Sequence, residues 1–200
     1  MTLTPRHRRR RAALVSAARA VAAERGLSAT HVRAVAAKAD VSVGSVLYYF
    51  PSFEDLLYLS VEEVLEEFYE QRRLLTERLD DPVARLRALV VAGIPDEIPK
   101  DLRVVYESVG LVREKPHYRP LMRSIVERQV LLYRTTIEIG VGVGAFTPTR
   151  AVPEIARNIV ALEDAYDLYP LVGVDVDRES CRRAVLAYAA QALNVDIEVD

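Results

Sequence analysis

One segment, residues 32–51, limits the folds open to this chain more than any other. Its sequence is VRAVAAKADVSVGSVLYYFP, and its second half is so rich in valine and tyrosine that propensity alone predicts a β-strand. Two short helices joined by a sharp turn explain it better. Such a turn needs a small residue where the helices touch, here Ala36, and a residue that tolerates positive φ, here Asp40. Ser42 can cap the second helix, and an apolar set fixes the angle: Val35, Val41, Val46 and Tyr49.

Helical signals cover the rest of the chain. Apolar residues recur at helical spacing, and capping residues or prolines mark the helix ends. We therefore predict an all-α fold of about nine helices. Besides the short helix that Ser42 caps, the predicted ranges are 8–25, 30–39, 52–79, 82–93, 100–114, 118–139, 153–169 and 177–194. Ser28 or Thr30 is expected to cap the second helix, and residues 140–150 are expected to form a loop.

Charge is distributed unevenly along the chain. Residues 1–50 contain nine Lys or Arg and only two acids, a charge of +7. Because the whole chain has a net charge of −2, residues 51–200 carry a charge of −9. A basic head on an acidic body is typical of nucleic-acid binding, although a basic tail without a partner would have the same composition. The change of sign places the predicted domain boundary between residues 51 and 52, giving domains 1–51 and 52–200.

The composition argues against several kinds of site. Cys181 is the only cysteine, so no internal disulfide can form, and the three histidines are too scattered for a zinc site or a catalytic triad. GVGVG at 140–144 lacks the spacing of a dinucleotide fingerprint. No apolar run reaches the roughly 18 residues that span a bilayer, and no apolar signal core follows the N-terminal arginines. We expect no metal, cofactor, enzymatic activity or membrane partner, and a cytoplasmic location.

Three stretches of the N-terminal quarter together resemble the DNA-binding domain of TetR-family transcriptional regulators. They are RAALVSAARAVAAERG (11–26), THVRAVA (30–36) and ADVSVGSVLYYFPSFEDLL (39–57). The chain departs from the family at Asp40, where glycine is usual, and at Phe53, where a phosphate-binding lysine is frequent. The C-terminal helices are similar to the family's BetI-like branch only in number and length. The resemblance implies a three-helix helix-turn-helix domain followed by a helical ligand-binding and dimerisation domain.

Residues of the head are expected to contact DNA. Those at the start of the recognition helix would face base edges, and Val43 could meet a thymine methyl group. The resemblance implies that one tyrosine of the pair contacts the DNA backbone and the other lies partly in the core, and we favour Tyr48 over Tyr49 as the phosphate ligand. The arginine run could instead be a solvated helix start. The predicted contacts are Arg8, Arg9, Arg10, Arg11, Thr30, Arg33, Ser42, Val43, Gly44, Ser45, Tyr48 and Tyr49.

The body offers weaker candidates. The resemblance implies a small-molecule pocket, for which we select Tyr106, Tyr133, Arg134, Phe146, Glu163 and Tyr166; each could equally be plain core or surface. The last two predicted helices carry apolar residues over too wide an arc for burial on one side. A dimer interface is therefore predicted at Ile155, Ile159, Leu162, Tyr166, Cys181, Ala184, Val185 and Tyr188, with a buried monomer core as the alternative.

The sequence and the resemblance thus predict a homodimeric, ligand-responsive regulator that acts as a repressor. It is expected to bind a palindromic DNA operator and to be released by an unidentified small-molecule effector. A BetI-like branch suggests a quaternary ammonium ligand, which aromatic faces bind through cation–π contacts. Two alternatives stay open. One is a helical small-molecule-binding or enzymatic protein whose basic head does not bind DNA. The other is a constitutive DNA-binding structural protein without an effector.

Overall fold

The computed structural model describes residues 4–197, and this part of the chain contains nine α-helices and no strand. The all-α prediction is confirmed. The helices are α1 (Pro5–Arg25), α2 (Val32–Lys38), α3 (Val43–Tyr49), α4 (Phe53–Glu77), α5 (Pro82–Gly93), α6 (Lys100–Leu111), α7 (Arg119–Gly142), α8 (Val152–Leu171) and α9 (Arg178–Leu193), with one 3₁₀ turn at Pro116–Tyr118.

Two compact units divide the chain, and α4 and α7 each contribute residues to both. The first unit comprises the residues up to Glu67 together with Pro99–Met122. In its core, α1 packs against α2, α3 and α6, and the buried side chains include Leu14, Ala18, Val21, Val35, Ala36, Val46, Phe50 and Leu56. Polar contacts supplement this core: Arg19 forms ion pairs with Glu67 and Asp101, and the Glu107 carboxylate accepts from the Leu27 amide at 2.6 Å.

The second unit comprises Phe68–Ile98 and the residues from Arg123 onward. Here α9 packs against α8 and α5, around buried side chains that include Leu86, Leu89, Ile94, Ile137, Ile155, Ile159, Val185, Leu186 and Leu193. Two arginines of α9 tie its first turns to the end of α5, since Arg178 donates to the Pro95 carbonyl at 2.8 Å and Arg182 to the Ile94 carbonyl at 3.0 Å. The division at residue 51 proposed from charge stays a prediction.

The starts of the first two helices differ from the sequence-based expectation. α1 begins at Pro5 rather than residue 8, because Thr4 caps it by accepting from the His7 amide at 3.3 Å and proline suits the first helical position. α2 is capped by His31, whose Nδ1 accepts from the Ala34 amide at 3.2 Å, so neither Ser28 nor Thr30 is the cap.

The predicted loop at 140–150 is also shorter than expected. α7 continues through Gly142, and the Phe146 ring folds back onto Gly140 so closely that a Cβ there would lie 2.1 Å from it. The Ala145 amide closes this end by donating to the Gly140 carbonyl at 2.8 Å. By contrast, the predicted starts at Pro82 and after Asp177 are confirmed, with Asp81 and Asp177 as the capping residues.

Candidate nucleic-acid interface

The turn between α2 and α3 has the geometry that residues 36–41 predicted. Asp40 adopts φ 51°, in the left-handed region that glycine usually occupies. Its amide donates to the Ala37 carbonyl at 3.3 Å, and the Val41 amide donates to the Ala36 carbonyl at 3.0 Å. This pair of bonds is a Schellman motif, which satisfies the last carbonyls of α2. Ala36 is buried beneath the turn, so the small residue lies where the two helices approach each other.

α3 begins at a capped end, and one side chain within it and one directly after it are buried in the core. The Ser42 hydroxyl accepts from the Ser45 amide at 3.1 Å, as predicted. Val46 and Phe50, four positions apart and therefore on one helical face, are both buried. The valine-rich composition that looked like a strand is thus explained by packing, since burial of these side chains outweighs a helix-propensity penalty of a few tenths of a kcal/mol.

The opposite face of α3 is open to solvent. Tyr48 is 73% exposed and Leu47 42% exposed. A Cβ added at Gly44 would meet only the Ser42 hydroxyl, at 3.8 Å, so the fold itself does not require glycine there. Val43 and Ser45 are half-buried. α3 therefore presents a surface with little side-chain bulk at its start and apolar or aromatic groups further along.

The two tyrosines divide as expected. Tyr48 points outward, whereas Tyr49 is half-buried and packs against the core of the first unit. Their rings meet edge to face, with centroids 5.1 Å apart. The His7 ring lies 4.7 Å from that of Tyr49. His7 and Leu47 were not among the predicted site residues; Leu47 could have been found from its position one helical turn after Val43.

The arginines of α1 fall into two groups. Arg8, Arg9 and Arg10 are exposed in its first turns. Arg11 is different, because its guanidinium donates to the Tyr49 carbonyl and stacks 3.9 Å from the centroid of the Phe50 ring. In this geometry Arg11 holds the end of α3 against α1, which does not favour the predicted role in DNA contact.

The two predicted contacts near the start of α2 also differ from each other. Arg33 is exposed. Thr30 is buried, and its hydroxyl donates to the Gly26 carbonyl at 2.9 Å. That hydroxyl closes the end of α1 instead of facing solvent, so the geometry does not suit it as a phosphate ligand.

The start of α4 lies beside this surface in the sequence. Ser52 caps the helix, with its hydroxyl accepting from the Asp55 amide at 3.3 Å. Phe53, which stands where the related family often has lysine, packs against the core of the first unit. Glu54 is engaged by Lys115, with which it forms an ion pair. The N-terminal end of α4 therefore offers backbone amides near Ser52 but no cationic side chain at position 53.

In the second unit, two of the predicted pocket residues meet a third that was not predicted. Arg72 is buried and forms an ion pair with Glu163 at 3.1 Å, and it also donates to the Tyr133 hydroxyl at 2.9 Å and the Leu89 carbonyl at 2.9 Å. Tyr133 donates in turn to Glu163. The Arg72 guanidinium lies 5.4 Å from the centroids of both the Phe68 and Tyr133 rings.

Burial controls the electrostatics of this cluster. It raises the pKa of Glu163 to about 7, although the Arg72 guanidinium acts in the opposite direction. It also raises the pKa of the neighbouring Asp164 to about 6, with Asp167 adding to the effect. Gly93 allows Glu163 its position, since a Cβ there would lie 2.1 Å from a carboxylate oxygen. The cluster is a buried cation held by a carboxylate and two aromatic rings.

The other predicted pocket residues do not join this cluster. Arg134 is exposed and pairs with Glu138 at 2.7 Å along the surface of α7. Phe146 is part of the hydrophobic core of the second unit. Tyr166 packs at the edge of that core, with its ring 6.0 Å from that of Tyr169. Tyr106 belongs to the first unit.

The predicted dimer residues separate into two faces of α8 and α9. Four of them are buried within the core of the second unit and do not form an open surface: Ile155, Ile159, Cys181 and Val185. Ala184 is exposed, and the remaining three are half-buried, namely Leu162, Tyr166 and Tyr188. The Tyr188 hydroxyl accepts from the Asn158 amide at 2.8 Å, which fixes the ring between the two helices. The alternative of a monomer core is therefore correct for the buried four.

Residues 4–197, which the structure describes, contain neither a cluster of metal ligands nor a membrane-spanning helix. No three His, Cys, Asp or Glu side chains in that range are grouped so as to hold a metal ion. Across the same residues, no helix combines the length and the apolar character needed to cross a bilayer.

The basic N-terminal part of the chain is similar in sequence to known proteins. Residues 14–58 match the family described as bacterial regulatory proteins, tetR family. The HTH-type transcriptional regulator BetI of Burkholderia ambifaria is 37% identical over 90 residues, which are 44% of this chain and 45% of that protein. BetI of Burkholderia thailandensis is 38% identical over 88 residues, with the same coverage. The matched part therefore spans less than half the length of these relatives.

Solved structures share the fold over nearly the whole chain. A TetR transcription regulator from Haloarcula marismortui aligns with a TM-score of 0.83 at 21% identity, covering 93% of this chain and 99% of that one. A transcriptional regulator from Saccharomonospora viridis, solved in complex with choline, aligns with a TM-score of 0.79 at 20% identity, covering 89% and 94%. Residues 14–58 therefore share the sequence pattern of the tetR family of bacterial regulatory proteins, and nearly the whole chain shares the fold of these solved regulators.

Proposed function

We propose that the protein is a homodimeric repressor that binds a palindromic operator through α3 and is released by a small-molecule effector. The observation that carries the proposal is the α2–α3 turn with an open outer face on α3, within a head of charge +7. In a dimer, two such helices would enter successive major grooves about 34 Å apart. Arg8, Arg9, Arg10 and Arg33 would supply phosphate contacts, which give affinity without sequence preference.

A gel-shift titration over a salt series tests the DNA-binding part. Specific binding to a palindromic fragment near the protein's own gene should weaken steeply as salt rises, because bound arginines displace counterions from phosphates. Absence of binding even at low salt would exclude the repressor and favour a helical protein whose basic head serves another purpose.

Two substitutions on α3 separate base contacts from phosphate contacts. Tyr48→Phe removes an exposed hydroxyl and should weaken binding to all sequences alike. Val43→Ala shortens a side chain at the start of the helix and should change the preference among sequences. If both variants act uniformly on all sequences, the assignment of Val43 to base contact is wrong.

For the dimer, the open faces of α8 and α9 supply the best surface. Ala184 and Ala187 are small, exposed and nearly one helical turn apart, so another helix could approach closely there. Leu162, Tyr166 and Tyr188 are half-buried and could add contact area. Ala184→Glu should shift the protein from dimer to monomer in analytical ultracentrifugation, with Gln71→Glu, at an exposed site on α4, as the control for one added negative charge. A monomeric wild-type protein would refute the proposal.

A cationic effector is supported by the cluster in the second unit. Glu163, Tyr133 and Phe68 surround a guanidinium that belongs to the protein itself. A ligand cation could take the place of Arg72 there, gaining the same carboxylate and aromatic contacts. Choline is the first probe to use, because the Saccharomonospora viridis regulator with the same fold was solved in complex with it.

The proposed release is a shift between two states of the dimer. A ligand changes DNA affinity only if it binds the two states with different affinity, and α4, which belongs to both units, is the element proposed to transmit the change. Choline added to the gel shift should release operator DNA. No effect of choline on DNA affinity or melting temperature would exclude it as the effector, and no effect of any cationic ligand would favour a constitutive DNA-binding protein.

A further inference from the structure

The outer face of α3 has a chemical character that narrows what it can recognise. Val43 and Leu47 are four positions apart, so their side chains lie on the same side of the helix. Leu47 is 42% exposed, whereas Val43 is half-buried and packs with part of its side chain against the core of the first unit, leaving the rest open to solvent. Gly44, next to Val43, leaves open space in which another molecule can come close to the backbone. The result is a short apolar strip beside a gap.

The polar groups of the same helix leave little for base recognition. Between residues 41 and 50 there is no Arg, Lys, Asn, Gln, Asp or Glu. Bidentate hydrogen bonding to guanine or adenine in the major groove depends on such side chains. The Ser42 hydroxyl is already engaged as a helix cap. Ser45 and the tyrosines can each make single hydrogen bonds, which discriminate weakly between base pairs.

One feature of the major groove fits an apolar strip. The C5-methyl group of thymine is the apolar group that a base pair displays there. A leucine and a valine on the same side of a helix can bury such groups, and the gap at Gly44 lets the helix approach deeply enough for contact. The exposed arginines of α1 and α2 supply the charge complementarity that brings this face to DNA.

We propose that α3 reads the C5-methyl groups of pyrimidines through Val43 and Leu47, so that 5-methylcytosine is accepted where thymine is. The inference rests on the proposed DNA-binding function and specifies its chemistry. It has a functional consequence: methylation of a cytosine in a contacted position would strengthen binding, and the chain would respond to the modification state of DNA.

The test uses the full-length protein and duplexes enriched from a random-sequence library. The preferred duplex is synthesised with thymine, and with uracil, which lacks only the methyl group. Replacement should weaken binding roughly fourfold per contacted methyl group, the factor that corresponds to burying one such group. At a contacted position, changing T·A to C·G should weaken binding, and methylating that cytosine should restore part of it.

Variants assign the effect to residues. Leu47→Ala and Val43→Ala should each lose the thymine preference at one position while keeping wild-type circular dichroism melting curves to within a few degrees. Tyr48→Phe serves as the control, because loss of a phosphate contact should lower affinity for thymine and uracil duplexes by the same factor.

The outcomes separate the two levels of the proposal. Equal affinity for thymine and uracil duplexes, with sequence preference intact, overturns methyl recognition but leaves DNA binding in place. An undiminished thymine preference in both Leu47→Ala and Val43→Ala also overturns it. If no duplex is enriched and none is bound at low salt, the proposed function fails together with this inference.

Discussion

Asp40 is the residue on which the geometry of the helix-turn-helix depends most directly. At φ 51° an L-residue is strained by roughly 1 kcal/mol, because its Cβ approaches the backbone. Glycine avoids that strain but loses more conformational entropy on folding. We therefore expect Asp40→Gly to raise the free energy of unfolding of the first unit by about 0.5 kcal/mol. Asp40→Val, with a β-branched side chain, should lower it by about 1–2 kcal/mol.

Asp40 also carries one of only two negative charges in the basic head, so its substitution changes DNA affinity as well as stability. Asp40→Asn separates the effects, because asparagine tolerates the left-handed conformation about as well as aspartate but is neutral. Both Asn and Gly variants should bind DNA more tightly at low salt, by a similar factor, whereas only Gly should be more stable. Urea unfolding followed by circular dichroism, paired with gel shifts, measures both. A Val variant as stable as wild type would refute the strain argument.

Three further substitutions test other parts of the structure. Gly44→Ala and its matched control Gly110→Ala should each raise helix stability by about 0.5 kcal/mol, since an added Cβ meets no clash at either site. Only Gly44→Ala should lower DNA affinity, by about tenfold. If both variants bind DNA as tightly as wild type, DNA does not approach Gly44. Burial raises the pKa of Asp164 from its ordinary value of 3.8 to about 6, so between these pH values the carboxyl is ionised in the unfolded chain but protonated in the folded one. Wild-type stability therefore falls as pH rises through this window and levels off above it. Asp164→Asn should gain stability relative to wild type over the same window, by about 2 kcal/mol, and a pH-independent difference in urea unfolding would contradict this. Arg11→Ala should destabilise the first unit by about 1–2 kcal/mol, because its hydrogen bond to the end of α3 is lost. Arg9→Ala should leave stability unchanged and reduce the salt dependence of DNA binding. Similar effects of the two variants would show that Arg11 does not hold α3 against α1.

The turn could be predicted because its determinants are local. Ala36, Asp40 and Ser42 lie within seven positions, and each acts on backbone groups only a few residues away. The same locality explains why the helix start at Pro82 and the cap at Asp177 could be predicted. His31 was missed as a cap because serine, threonine and aspartate lead that position, and a histidine nitrogen accepting from an amide is a rarer solution to the same need.

Arg72 could not be assigned from the residues next to it, since Arg73 follows immediately and pairs with Glu70 and Glu77 at the surface. The helical phase distinguishes the two. Arg72 is seven positions after the buried Leu65 and four after Phe68, so it lies on the apolar face of α4. Its partners on α5, α7 and α8 come from distant parts of the chain and carry no such local signal. The helical phase therefore predicts that the Arg72 side chain is buried. Its partner Glu163 can be identified only from the structure.

A similar ambiguity affected α8 and α9. An apolar arc too wide for one core contact predicts two buried faces, but residue type does not tell which face is buried within the protomer. In the structure the β-branched Ile155, Ile159 and Val185 fill the core, and alanines such as Ala184 and Ala187 remain outside. Large side chains yield more free energy when fully buried, whereas small ones allow close helix approach between surfaces. These preferences do not separate the two faces by themselves, because Ala156, Ala189 and Ala192 are buried in the same core while Leu162 and Tyr188 stay half-buried. The position of each residue around its helix, relative to the packed neighbours, decides which face it joins.

The exposed arginines and the outer face of α3 are expected to contribute to DNA binding in different ways. The exposed arginines contribute a term that depends on salt and is blind to sequence, and the uncharged outer face of α3 contributes a term that depends on base edges and hardly on salt. The ratio of affinities for thymine and uracil duplexes should therefore stay constant over a salt series in which each affinity falls by orders of magnitude. A ratio that shrinks with rising salt would mean that the methyl groups act indirectly, by changing how the phosphates are presented to the arginines.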